Sequence, residues 1–148
     1  MTDIEQQWLA ETTSESFYFS TFPGKSCDLR RHNTITGALA KLRFGSYLNL
    51  AGRWVPDDRV VWLGMITSDT PGDGARLLTR IRELAAEYSC LVVGEPTPLK
   101  PKDWSPDRPW CRDPYPLIEW YARHDFAFRT KGRTTLMCYP ASYIDTIC

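Results

Sequence analysis

The chain has 148 residues, 43% hydrophobic and 13% aromatic, which is enough for one sizeable core and short for two, so a single domain spanning 1–148 is expected. Eighteen basic residues balance eighteen acidic ones, which excludes a global field for nonspecific binding to nucleic acid or to an anionic membrane. No stretch approaches the ~20 apolar residues of a membrane span, and Met1-Thr2-Asp3-Ile4-Glu5 lacks the basic and apolar regions of a secretory signal, so a cytoplasmic protein with no membrane partner is expected.

At the amino end, Thr2 with Glu5 makes a capping box that opens a short helix carrying Ile4, Trp8 and Leu9. The aromatic run 17–22 reads as a first strand. Phe22-Pro23-Gly24-Lys25-Ser26 has the tail of a nucleotide-binding P-loop, but Phe19 stands where that motif needs its first glycine, so the segment reads as a turn. Residues 36–44 suggest a helix with Leu39 and Leu42 inward, residues 47–51 a further strand, and residues 52–59 a turn.

Val60-Val61-Trp62-Leu63-Gly64-Met65-Ile66 is a continuous apolar run bounded by Ser68-Asp69-Thr70-Pro71, the pattern of a buried strand feeding a tight turn. After it, Leu77, Leu78, Ile81, Leu84, Ala85 and Tyr88 recur at helical spacing. A strand, a glycine turn and a helix in that order leave unpaired backbone N–H groups, and the positive end of a helix dipole, where a phosphate can sit. Gly72 and Gly74 allow close backbone approach, although Gly72-Asp73-Gly74 is equally a good ordinary turn.

Cys90-Leu91-Val92-Val93-Gly94 reads as the next short strand. Residues 95–116 then hold seven prolines with Trp104, Trp110 and Tyr115 among charged residues, a density that prevents regular structure. Trp104 and Trp110 either pin this loop to the body or stack on an acceptor, with Asp103, Asp107 or Asp113 holding an amine; Asp113 also suits a helix cap. A helix follows over 117–126, then strands near 126–129 and 134–139 about a Lys131-Gly132-Arg133 turn. Five scattered cysteines (Cys27, Cys90, Cys111, Cys138, Cys148) fit reduced thiols, with Cys90 in the core. The absence of any Cys-x-x-Cys pair, and the distance between His32 and His124, give no metal site.

Three elements together resemble the GNAT superfamily of N-acetyltransferases. Gly72, Gly74, Leu77 and Leu78 fall in register with the family's phosphate loop and the paired leucines of its helix. Tyr121 and Phe126 hold the outer positions of its Tyr-x-x-x-Gly-Phe segment, and Met137-Cys138-Tyr139-Pro140 is similar to its closing Met-x-x-Pro. The resemblance covers residues 59–140. Asp69 departs from the family's usual Arg or Gln, and Asp125 from its usual Gly. The fold it implies is mixed α/β (α+β), with a centrally splayed sheet flanked by helices, as in acyl-CoA N-acyltransferases.

The resemblance further implies acetyl-CoA, or another acyl-CoA, held at Gly72, Asp73, Gly74, Ala75 and Arg76, with backbone N–H groups of Met65, Ile66 and Thr67 polarising the thioester carbonyl. Tyr121 takes the position of the general acid, or else is a core aromatic beside Trp120. Glu95 is the chosen base, or else a solvated loop carboxylate; His124 is a weaker candidate and His32 has no local context. The acceptor is expected to be a small-molecule or exposed amine. A second reading resembles the phage Mom-type DNA-modification proteins, with nucleic acid as partner and the aromatic segment gripping an extruded base. A third is a noncatalytic binding module on the same fold. Edge strands near the carboxyl end make a homodimer plausible.

Overall fold

Thr2 Oγ1 accepts the Glu5 N–H at 3.3 Å and starts helix α1 (Asp3–Glu11), whose Ile4 and Trp8 are buried while Leu9 lies toward solvent. The structure, a computed structural model, describes residues 2–18, 26–97 and 114–148, with the backbone alone for 16–18 and 26–28. Strands β1 (Thr12–Tyr18), β2 (Ser26–His32), β3 (Ala38–Leu48) and β4 (Trp54–Ser68) form an antiparallel series. Helix α2 (Asp73–Glu87) then crosses to β5 (Leu91–Gly94), which pairs parallel to β4. Helix α3 (Tyr115–Arg123), strands β6 (Ala127–Lys131) and β7 (Thr134–Tyr139), and a 3-10 turn leading to the short α4 (Ile144–Ile147) complete the chain. The result is a mixed α/β fold around a seven-stranded sheet, ordered β1-β2-β3-β4-β5-β7-β6.

The period-2 alternation of the strands sorts the apolar residues onto two faces. On one, Ala40, Val61, Leu63 and Val92 meet Ile4 and Trp8 of α1, Leu77, Leu78 and Ile81 of α2, and Tyr121 of α3. On the other, Val60, Trp62 and Val93 meet Ile144 and Ile147 of α4. No helix of the described residues is long and apolar enough to cross a membrane.

The sequence expectations need correcting in the amino-terminal third. Residues 36–44 are not helical: β3 runs through them, and 47–48 continue the same strand. Ala, Leu and Lys favour a helix locally, but Ala38, Ala40, Leu42 and Phe44 alternate onto the helix-covered face, and pairing with β4 overrides the propensity. The expected turn at 52–59 shrinks to residues 49–53, where Asn49 Oδ1 accepts the N–H groups of Ala51 and Arg53, and β4 already begins at Trp54. The first strand starts at Thr12 and not at residue 17, and β2 lacks any strong apolar alternation that would announce it. Residues 19–25 and 98–113, with Trp104, Trp110, Asp103, Asp107 and Asp113, lie outside the described residues.

Candidate functional site

The parallel pairing of β4 with β5 joins Val60–Leu63 to Leu91–Gly94 and ends there. Residues 64–68 continue along β3 alone, and among the described residues no strand pairs with their other edge. The parting coincides with a bulge: Leu42 faces Leu63 and Lys41 faces Met65, so Gly64 is the extra residue. Gly94 marks the last close contact, since a Cβ there would lie 2.7 Å from the Leu63 carbonyl oxygen. Alternate residues of 64–68 therefore turn backbone N–H and C=O groups into the gap, placing Met65, Ile66 and Thr67 along its wall.

At the end of that strand the chain folds into a turn whose bonds are local. The single Ser68 hydroxyl proton has two carbonyls within reach, Thr70 at 2.7 Å and Gly37 at 3.1 Å, and the Asp69 N–H donates to the Gly37 carbonyl at 3.0 Å. Gly72 caps α2 with φ +86°, a left-handed conformation that disfavours any side chain. The N–H of Asp73 is taken by Thr70 and that of Arg76 by Gly72, while among the described residues no carbonyl takes those of Gly74 and Ala75. Those two amides open on a cavity of about 530 Å³ lined by residues 68–72, Gly74, Ala75 and the indole of Trp120. A Cβ at Gly74 would stand 3.3 Å from Ser68 Cβ and 3.8 Å from the Trp120 ring, so the turn and α3 close on this glycine.

The electrostatics are mixed. The Asp73 carboxylate is buried and turned from the cavity, accepting the Gly37 N–H at 2.9 Å and an ion-paired donor from Arg76. The Arg76 guanidinium reaches back over Gly72, where a Cβ would meet it at 3.9 Å, and so puts a positive charge beside the turn. Asp69 lines the cavity and accepts the Thr70 hydroxyl at 3.1 Å, without capping the helix. The Arg31 guanidinium, held by Glu15 and the Thr36 carbonyl, feels the Asp69 charge. Free amides and a missing Cβ at the cap fit a phosphate group, whereas Asp69 opposes one and the charge of Arg76 is shared with Asp73.

Tyr121 is 4% exposed in the helix-side core, with its ring 5.4 Å from Phe126. Burial pushes its hydroxyl well above the usual phenol range, so it stays protonated across neutral pH and lies further from a thiol's pKa than a free phenol does; it lines neither this cavity nor a second one beside Glu95. Asp125 has φ +70°, and the Phe126 N–H returns to the Tyr121 carbonyl at 3.3 Å, the C-terminal geometry that glycine usually supplies. The cap therefore fixes Tyr121 and Phe126 against each other.

Glu95 lies elsewhere. It is half-buried beside a second cavity of about 360 Å³, lined also by Ile118, Arg133 and Thr134, and not beside the turn. α3 contributes to both cavities, Trp120 to the first and Ile118 to the second. His124 stacks edge-on against Trp120 at 4.9 Å, and burial with the charges of Arg82 and Arg123 lowers its pKa, favouring the neutral ring. His32 is structural: its Nε2 meets Glu11 at 2.9 Å and its Nδ1 accepts the Thr34 N–H at 3.1 Å. Cys90, half-buried, packs against the edge of the core. Trp120 and Gly37 are the site residues that the sequence reading missed; the adjacency of Trp120 to Tyr121 was a usable signal, whereas Gly37 had none. No protein-family model, curated protein or solved structure matches the chain.

Proposed function

We propose that this protein is an acyl-CoA-dependent N-acyltransferase that moves an acetyl group to a primary amine. The observation that carries the reading is the pair of free amides of Gly74 and Ala75, opening on a cavity at the end of a strand that has just parted from its parallel neighbour. An acyl-CoA would supply a thioester carbonyl for attack and a thiol leaving group. The turn at Gly72, the amides of Gly74 and Ala75, and Arg76 would hold its diphosphate. Backbone N–H groups within Met65, Ile66 and Thr67 would face the carbonyl oxygen.

Glu95 would take the proton of the acceptor's ammonium, leaving a neutral amine with its lone pair free. Attack would form the C–N bond and break the C–S bond, Tyr121 giving its proton to the departing sulfur and regaining the second proton that the amine nitrogen loses as the amide forms. A second reading, a noncatalytic binding module, draws support from Asp69 at the cavity rim, where its charge opposes a diphosphate. Amine-dependent release of free thiol from acetyl-CoA tests the choice. Release abolished by Tyr121→Phe supports the transferase; no release with any amine, together with no acetyl-CoA binding, supports the module.

A further inference from the structure

The second cavity brings an acidic and a basic side chain to one small space. Glu95 and Arg133 both line it, yet they form no ion pair with each other or with any other described residue. Arg133 is exposed and Glu95 half-buried, so neither charge needs a protein partner, and both stay open to a ligand that carries the complementary charges. Thr134 brings a hydroxyl beside Arg133, while Pro96, Pro114 and Ile118 supply an apolar wall. At about 360 Å³ the space suits a small molecule and not a folded chain.

The position also bears on the chemistry. Glu95 directly follows Gly94, the last residue of β5 paired with β4, so it stands at the mouth of the gap walled by residues 64–68. Arg133 stands just ahead of β7, in the turn from β6, beyond the Gly94–Met137 pair of β5 and β7. A ligand held between the two charges would present a cationic group to the gap and an anionic group to the turn.

We infer that this cavity binds a free aliphatic amino acid, with its ammonium at Glu95, its carboxylate at Arg133 and Thr134, and its side chain against Ile118 and the two prolines. The inference rests on the transferase reading for its role as acceptor, and on the cavity alone for binding. A peptide amino terminus would leave Arg133 unmatched, because its neighbouring carboxyl is an amide; the free amino acid satisfies both charges. An amine without a carboxylate would satisfy only one.

Calorimetric titration of the purified chain with L-leucine, 3-methylbutylamine and 4-methylpentanoate separates these contributions without any acyl donor. Saturable leucine binding is expected, with each analogue weaker by roughly tenfold or more, the loss of one charge-assisted contact. Arg133→Gln should bring leucine down to the level of 3-methylbutylamine, and Glu95→Gln should bring it down to 4-methylpentanoate. No saturation with millimolar leucine, or leucine binding unchanged by Arg133→Gln, would overturn the inference. A parallel titration with acetyl-CoA keeps the two readings apart: donor binding without leucine binding overturns the amino-acid site alone, and leucine binding without donor binding overturns the transferase alone.

Discussion

The Asp73 carboxylate, one residue into α2, accepts the backbone N–H of Gly37 at 2.9 Å and so ties the start of the helix to the residue just before β3. Both are buried, and a Cβ at Gly37 would overlap the Thr70 side chain and Asp73 Oδ2. The geometry of the turn therefore depends on a contact spanning 36 residues. Asp73→Ala leaves the Gly37 N–H unpaired and should cost about 1–3 kcal/mol in urea denaturation. Asp73→Asn keeps an acceptor oxygen and should cost less. Equal losses in the two variants would contradict this role.

Gly94 is confined on two sides: an added Cβ would lie 2.7 Å from the Leu63 carbonyl oxygen and 2.9 Å from Met137 Cε. Gly64, at the bulge, is open by comparison, with its nearest atom at 3.4 Å. Gly94→Ala should lower stability by about 1–3 kcal/mol through overpacking, and Gly64→Ala by under about 1 kcal/mol. Thermal unfolding of the two variants checks the order, and a reversal would place the tight end of the β4–β5 pairing elsewhere.

Glu11 joins α1, β2 and α2, because it takes two bonds from Arg80 at 2.7 Å, one from Gln7 at 2.7 Å and one from His32 at 2.9 Å. The Arg80 guanidinium, above all, lowers its pKa from 4.5 to about 2, with Gln7 and His32 adding and burial opposing. Because the folded value lies below the unfolded one, the contribution is complete above pH 4.5 and is lost as pH falls toward 2. Its size is on the order of 2–3 kcal/mol. Denaturation midpoints measured down this range should fall for the wild type, and Glu11→Gln should flatten that segment of the curve.

Tyr121→Phe retains the ring against Phe126 and should change stability by less than about 1 kcal/mol. If the hydroxyl serves as the acid, thiol release should drop by roughly 10²–10⁴-fold. The raised pKa of the hydroxyl also implies that the rate does not fall as pH rises through 10, the ordinary phenol value. An alkaline decline near pH 9 that persists in Tyr121→Phe would assign the acid to another group.

Legibility differed sharply between the halves of the chain. The leucine spacing of α2 and the apolar run of β4 are local signals, and both elements appear where periodicity puts them, although β4 extends six residues further toward the amino end than residue 60. The left-handed Asp125 was legible because short polar side chains tolerate that region. β3 was not, since its Ala-Leu-Ala-Lys-Leu core carries helix propensity and only pairing with β4 decides it. The site divides in the same way: Gly72 and Gly74 announce a turn, but the bulge at Gly64 and the Gly37–Asp73 bond exist only once distant strands are aligned. The separation of Glu95 from the turn likewise depends on where α3 lies between the two cavities.

A diphosphate of acyl-CoA at the start of α2 is probed by calorimetric titration of acetyl-CoA into the wild type and into an Ala75→Glu variant. Glutamate suits the first turn of a helix, so the variant should fold while adding bulk and negative charge to the cavity that Ala75 lines. Saturable binding to the wild type is expected, weakened by roughly a hundredfold or more in the variant. No binding at millimolar acetyl-CoA, or equal affinity in both proteins, would contradict it.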